Sequence, residues 1–151
     1  RESRSEYLSE LVGFYEPAQR LNALAKDGKV ALYDEVFGYF LDVPYFWANP
    51  GHGVELDYMS YSDPSDMITA YQTLGITHVY LNLSMGDRET TQKMIGAMGI
   101  NGEIEPYTNE EQAKAWADPR TKWRVLVARA VAEGKLSLVE GYRQSLIFKV
   151  N

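Results

Sequence analysis

The sequence has no cysteine, which excludes disulfides, thiolate metal sites and a cysteine nucleophile, though it leaves the compartment open. Histidine is nearly absent too, with only His52 and His78. Without cysteine or an H-x-x-x-H spacing, they do not make up the three or four converging ligands of a zinc site, so no metal is expected. Positive charge is in deficit. Fifteen Lys and Arg stand against 21 Asp and Glu, for a net charge of −6, and no basic stripe is present. This argues against a nucleic-acid partner. No apolar run approaches the ~20 residues needed to cross a bilayer, and no signal-peptide pattern is visible. The glycine cradle of a dinucleotide site is missing as well. Gly51-His52-Gly53 supplies only its first two glycines and has no strand before it. After Tyr33 the chain reads Asp34-Glu35-Val36-Phe37-Gly38, whose two carboxylates would repel phosphate. No nucleotide and no other cofactor is expected. A small hydrolase is disfavoured because there is no G-x-S-x-G elbow.

What is present is an ordinary globular composition, 45% hydrophobic and 24% charged, over 151 residues. That length fits one domain over 1–151, burying roughly 68–70% of the chain's surface. The first residues, Arg1-Glu2-Ser3, lack a Met, so the chain reads as a piece excised from a longer protein. Tyrosine is abundant, with 11 copies, many expected to lie half-buried with a wet hydroxyl.

The clearest local signal is Asp63 to Leu83. Asp63 is an N-cap and Pro64 takes the first helical position. Met67, Tyr71 and Leu74 form one helical stripe, and Gly75 suits a left-handed C′ position with Ile76 packing behind it. Thr77 to Leu83 is β-branched, aromatic and apolar, which predicts a strand. Before this unit, Ser5 opens a helix with the stripe Tyr7, Leu11, Phe14 and Tyr15. Pro17 restarts it as a second helix ending at Asp27-Gly28. Lys29 to Tyr33 and Tyr45 to Trp47 read as short strands, separated by at most a turn or two of helix. Val54 to Tyr61 reads as a loop with some extended character.

After it, Asp87 caps a helix that stops at Gly99. Thr108 with Glu111 is a capping box for a short helix with Trp116. Asp118-Pro119 starts the last helix, whose stripe is Trp123, Leu126, Val127, Ala130 and Val131. Leu136–Glu140 and Ser145–Val150 form an antiparallel hairpin that closes one sheet edge. The expected fold class is therefore α/β, a three-layer Rossmann-like domain with a short central parallel sheet and a C-terminal antiparallel hairpin. Val30–Tyr33 and His78–Leu83 should be adjacent parallel strands. Leu32, Leu74, Val79, Leu81, Leu126 and Ile147 should be buried.

The candidate ligand-binding residues are Asp34, Glu35 and His52. Asp34 and Glu35 follow a strand end, where α/β sheets place ligands, and could meet a sugar hydroxyl or act as a base. The plainer reading has them capping the helix that follows. His52 lies in the loop Asn49-Pro50-Gly51-His52-Gly53, where functional residues concentrate; its plainer reading is a structural loop histidine. His78 reads as a strand residue bonded to a backbone group. The aromatics Phe37, Tyr39, Phe40, Tyr45, Phe46, Trp47, Tyr58 and Tyr61 could form a sugar or lipid platform, but over half are expected to pack the core. Asn82-Leu83-Ser84 matches the glycosylation pattern by accident, at the end of a buried strand.

Several segments carry a family resemblance. They are Ser3-Arg4-Ser5-Glu6-Tyr7-Leu8, Tyr15-Glu16-Pro17-Ala18 with Leu21-Asn22, and Lys29-Val30-Ala31-Leu32-Tyr33. Gly38-Tyr39-Phe40-Leu41-Asp42 with Pro44-Tyr45, and Leu74-Gly75-Ile76-Thr77-His78-Val79-Tyr80-Leu81-Asn82, complete the set. In order and spacing this half resembles the soluble C-terminal region of multi-pass membrane glycosyltransferases related to the dolichyl-phosphate-mannose protein mannosyltransferases and the lipid-A aminoarabinose transferases. The match spans about residues 3–84, and beyond it only the general plan is shared. The resemblance implies a domain on the extracytoplasmic face of a membrane enzyme that transfers sugar from a polyprenyl-phosphate donor. Its partners would be the membrane-embedded remainder of that enzyme and a sugar acceptor. In that family the catalytic carboxylate and metal ligands lie on loops between spans, none of which is in this chain. No catalytic residue is therefore carried over, and the chain alone is not expected to be an enzyme. The alternative is a free-standing small α/β sugar- or ligand-binding module. Replacing Asp34, Glu35 and His52 together is expected to spare the melting temperature.

Overall fold

The computed structural model describes residues 4–52 and 55–151, with side chains from residue 13 onward in the first helix. Expectations for Arg1–Ser3, Gly53, Val54 and the Tyr7 and Leu11 side chains lie outside the described residues.

The chain runs α1 (Arg4–Leu24), β1 (Val30–Tyr33), β2 (Tyr45–Trp47), α2 (Pro64–Thr73), β3 (His78–Asn82), α3 (Arg88–Met98), α4 (Asn109–Ala115), α5 (Pro119–Ala132), β4 (Leu136–Gly141) and β5 (Ser145–Val150). One-turn 3-10 helices at Gly38–Phe40 and Tyr58–Ser60 interrupt the loops. The strands form one five-stranded sheet in the order β2-β1-β3-β5-β4. β1 pairs in parallel with both β2 and β3, with Leu32 opposite Tyr80. β5 runs antiparallel to β3 and to its hairpin partner β4, which shifts register between Leu138 and Glu140. The architecture is a mixed α/β domain, parallel on one side of β3 and antiparallel on the other.

Strand alternation sorts the core into two layers. Ala31, Tyr33, Val79, Leu81, Leu146 and Phe148 face α2, α3 and α5. Val30, Leu32, Tyr80 and Ile147 face α1 through Phe14, Ala18 and Leu21. Helices therefore cover both faces. Of the six expected core residues, five are buried; Leu74, at the end of α2, is half-buried against the larger cluster.

Local chemistry explains the boundaries. Asp63 accepts from the Ser65 N–H at 2.8 Å, and Pro64 starts α2. At the other end Gly75 takes φ 75°, the Ile76 N–H bonds the Tyr71 carbonyl and the Gly75 N–H bonds that of Gln72. This is a Schellman stop, with buried Ile76 behind it. Thr108 and Glu111 make both bonds of the capping box for α4, and Trp116 is its C-cap residue.

Two expectations change. The N-terminal region is one helix, because Pro17 is accommodated inside α1 and does not restart it. Pro17 removes one N–H, but Ala18 and Leu21 beyond it are fully buried, so packing holds the helix through the break. Tyr15 does not join the buried stripe and is 55% exposed. Glu55 to Tyr61 is the loop expected of it, closing in the one-turn helix, and it buries Leu56 and Tyr58.

Candidate functional site

The three parallel strands point their carboxyl ends at one place. β1 leads into Asp34, Glu35 and Val36; β2 ends at Trp47 and leads into Asn49 and His52; β3 ends at Asn82 and leads to Met85. These residues line a cavity of about 270 Å³. The chain leaves β1 toward one side of the sheet and β3 toward the other, so the loops part and leave a crevice between them. The structure thus brings Asp34, Glu35 and His52 around a single cavity.

Asp34 is the fixed point of the wall. Its φ is +58°, the one left-handed non-glycine residue among those described. Aspartate tolerates this region better than most residues, at a cost of about 1–3 kcal/mol. Every polar group of Asp34 is held. Its N–H donates to Asn49 Oδ1 at 2.7 Å, and its Oδ1 accepts from Asn49 Nδ2 at 2.8 Å. Its carbonyl accepts from Asn82 Nδ2 at 3.1 Å. Its Oδ2 accepts from both terminal nitrogens of Arg124, at 3.4 and 3.3 Å. Arg124 in turn lies 4.4 Å from the centre of the Trp123 ring, which stacks on Tyr33 at 4.6 Å. The strand end and α5 are therefore clamped together beneath the crevice.

Glu35 is buried. Its Oε2 accepts from the backbone N–H groups of Val36 and Phe37, at 3.1 and 3.3 Å. Its Oε1 accepts from Tyr80 and Asn82, each at 3.4 Å. The capping role weighed for both carboxylates is therefore half met. Glu35 fastens the approach to the 3-10 turn, whose N-cap residue is Phe37 without a side-chain cap. Asp34 holds Asn49 and Arg124 instead.

His52 is exposed, its ring 6.1 Å edge-on from that of Trp47. His78 lies at the opposite end of β3. Its Nδ1 meets Thr77 Oγ1 at 2.9 Å, a side-chain partner where a backbone one was expected. Burial pushes its pKa down, and neighbouring Lys149 adds to the shift. Among the described residues no His, Asp and Glu side chains group to hold a metal ion. Nor is any helix long and apolar enough to cross a membrane.

The aromatics divide. Phe37, Tyr58 and Tyr61 are buried, and Phe40, Tyr45 and Phe46 pack half-buried against the two clusters. Tyr39 and Trp47 stay exposed, at 62% and 42%, and only Trp47 of the two lines the cavity.

Asn82 and Arg124 were not singled out as site residues from the sequence, and Asn49 entered only as the first residue of the loop that carries His52. Asn82 stood out only as a glycosylation match. It is buried, with its amide nitrogen committed to Asp34 and Glu35 and its Oδ1 accepting from Ser84. Arg124 had a readable signal. Val125 to Ala132 is apolar nearly all round, which marks a helix buried on more than one stripe, and a charge beside such a run needs a partner.

No protein-family model matches the chain, and neither does any curated protein. Among solved structures, the C-terminal globular domain of an oligosaccharyltransferase from Archaeoglobus fulgidus is similar. The likeness covers 100% of this chain and 99% of that one, with a TM-score of 0.54 and 15% sequence identity. At that identity the likeness is one of fold.

Proposed function

We propose that this chain is a non-catalytic accessory domain of a membrane glycosyltransferase. On this reading it stands on the extracytoplasmic face as part of an integral membrane protein, whose sugar donor is a polyprenyl phosphate. Its crevice faces the acceptor side of the parent's active site. The observation that carries the proposal is the end-to-end likeness of fold to a globular domain of an oligosaccharyltransferase. It converges with the independent sequence resemblance over residues 3–84, which also leads to the C-terminal region of a sugar-transferring membrane enzyme. The fold is of the Rossmann-like kind, with the hairpin β4–β5 added to a parallel core.

The crevice chemistry supports positioning over catalysis. The oxygens of Asp34 and Glu35 already accept hydrogen bonds from Arg124, Asn49, Asn82 and the chain's own backbone. Such groups shape a wall and orient a neighbour; a general base needs reach to a substrate proton. The test is removal of residues 1–151 from the parent. Glycosyl transfer should fall while the membrane part is still made, and the isolated chain should turn over no lipid-linked sugar. Turnover by the isolated chain, or undiminished transfer without it, would overturn the proposal. A parent reading frame without upstream spans of ~20 apolar residues would favour a free-standing module instead.

A further inference from the structure

From the walls of this crevice we infer what class of acceptor it takes: a neutral pyranose ring, lying with its C–H face on Trp47 and its hydroxyls toward Asp34, Asn49 and His52. The word acceptor rests on the accessory-domain reading; the ligand chemistry rests on the walls alone.

Size comes first. A cavity of about 270 Å³ falls just under the ~300–1,000 Å³ of pockets that enclose drug-sized ligands, so it suits a single ring. The apolar side is unusual. Trp47 is 42% exposed, and Val36 and Met85, on the loops after β1 and β3, are 63% and 58% exposed. Three large apolar side chains around one opening form a platform, and the exposed part of the Trp47 ring gives it an aromatic surface for an apolar ligand face. Its ring neighbours, Tyr45 at 6.3 Å and His52 at 6.1 Å, are steeply inclined to it, at 68° and 61°, so neither stacks on it.

The polar side has capacity left over. Asn49 Nδ2 carries two hydrogens and gives one to Asp34. Asp34 Oδ1 accepts one bond from Asn49 and has a second lone pair. His52 is exposed on the same turn as Asn49, closed by the His52 N–H to the Asn49 carbonyl at 3.3 Å. Donors and acceptors are thus mixed, as polyol hydroxyls require. Charge then excludes the competing class. Asp34 and Glu35 both stand in the wall, and the nearby cation, Arg124, is already turned to Asp34. A phosphate would meet carboxylates with no lysine or arginine among the described lining residues; a neutral polyol meets no such penalty. Asp34 is held at four points, so the polar wall is organised before a ligand arrives.

The experiment is a titration of the 151-residue chain, following the Trp47 indole N–H and the Asn49 side-chain amide by NMR. The probes are methyl mannopyranoside, methyl glucopyranoside and mannose 6-phosphate. At least one methyl pyranoside should give saturable millimolar shifts at both groups, and the sugar phosphate should bind about tenfold more weakly or worse. Trp47→Leu should abolish saturation by keeping apolar bulk but losing the ring face, and Trp47→Tyr should retain it. Absence of saturation with both methyl pyranosides, equal or tighter binding of the phosphate, or Leu serving as well as Tyr would each overturn the inference. If it fails while removal of residues 1–151 still impairs the parent, only the ligand class falls. If a pyranoside binds but removal is harmless, the sugar site stands and the accessory role falls.

Discussion

Asp34 and Asn49 hold each other by two reciprocal hydrogen bonds, backbone N–H to side-chain oxygen at 2.7 Å and side-chain N–H to carboxylate at 2.8 Å. The pair ties the end of β1 to the end of β2 and stabilises the left-handed turn at Asp34. Asn49→Ala removes both bonds and leaves the Asp34 N–H without its partner in a half-buried site. The expected loss is about 1–3 kcal/mol in urea denaturation. A loss below ~0.5 kcal/mol would show that solvent replaces Asn49 freely.

A second network stands behind the first. Tyr58 donates to the Ala48 carbonyl, Tyr33 lies 2.7 Å from Tyr58, and Tyr71 lies 2.5 Å from Tyr33. Each hydroxyl has one proton. Because Ala48 can only accept, the chain of donation runs from Tyr71 to Tyr33 to Tyr58 to Ala48. Tyr71→Phe then removes only the first donor and should cost about 0.5–1.5 kcal/mol. Tyr58→Phe strands both the Ala48 carbonyl and the Tyr33 proton and should cost clearly more, about 1–3 kcal/mol. Equal costs in a denaturation series would refute this direction.

Burial raises the pKa of Tyr33, Tyr58 and Tyr71 well above that of free tyrosine. The unfolded chain therefore releases these protons near pH 10, while the folded chain keeps them. The unfolded state then binds fewer protons, so stability is fully present below pH ~10 and falls as pH rises above it. Denaturation midpoints at a series of pH values from ~9 to ~11 should drop steeply at the alkaline end, and the drop should be shallower in a variant with all three tyrosines changed to phenylalanine. An unchanged slope in that variant would place the alkaline transition elsewhere.

Leu81 sits in β3 with 1% exposure, opposite Leu146 of β5 and facing the α2–α3–α5 layer. Leu81→Ala should cost about 2–5 kcal/mol, through lost burial and the cavity left behind. Chemical denaturation showing under ~1 kcal/mol would mean that the layer collapses around the gap.

The sequence made legible whatever depends on neighbours along the chain. Asp63-Pro64, Thr108 with Glu111, Asp118-Pro119 and Gly75 each closed or opened the element expected of them, because a cap is a local bond. The apolar runs of β1 and β3 were legible as paired central strands because both of their faces are covered by helices. Pro17 misled because tertiary packing of α1 outweighs the local break. The crevice was half legible. Asp34, Glu35 and His52 could be placed by the rule that ligands gather at strand ends. The pairing of Arg124 and Asn82 with Asp34 was not legible, because those contacts span 90 and 48 residues of chain.

These contacts change how the crevice must be tested. Replacing Asp34, Glu35 and His52 together was expected to spare the melting temperature, but Asp34 and Glu35 support the strand ends, so the triple alanine variant should melt lower. His52 is the informative position. It is exposed, it lines the cavity, and its ring lies 6.1 Å from that of Trp47. His52→Ala should leave the melting temperature of the chain within about 1 °C, as exposed substitutions away from such networks do. If the crevice faces the acceptor, the same change in the parent should lower kcat/KM for the acceptor several-fold, with the KM for the donor unchanged. The measurement is steady-state transfer by the full-length parent with donor and acceptor varied in turn. Full activity toward the acceptor with His52→Ala and Trp47→Leu combined would remove the crevice from the reaction and leave the domain as a scaffold.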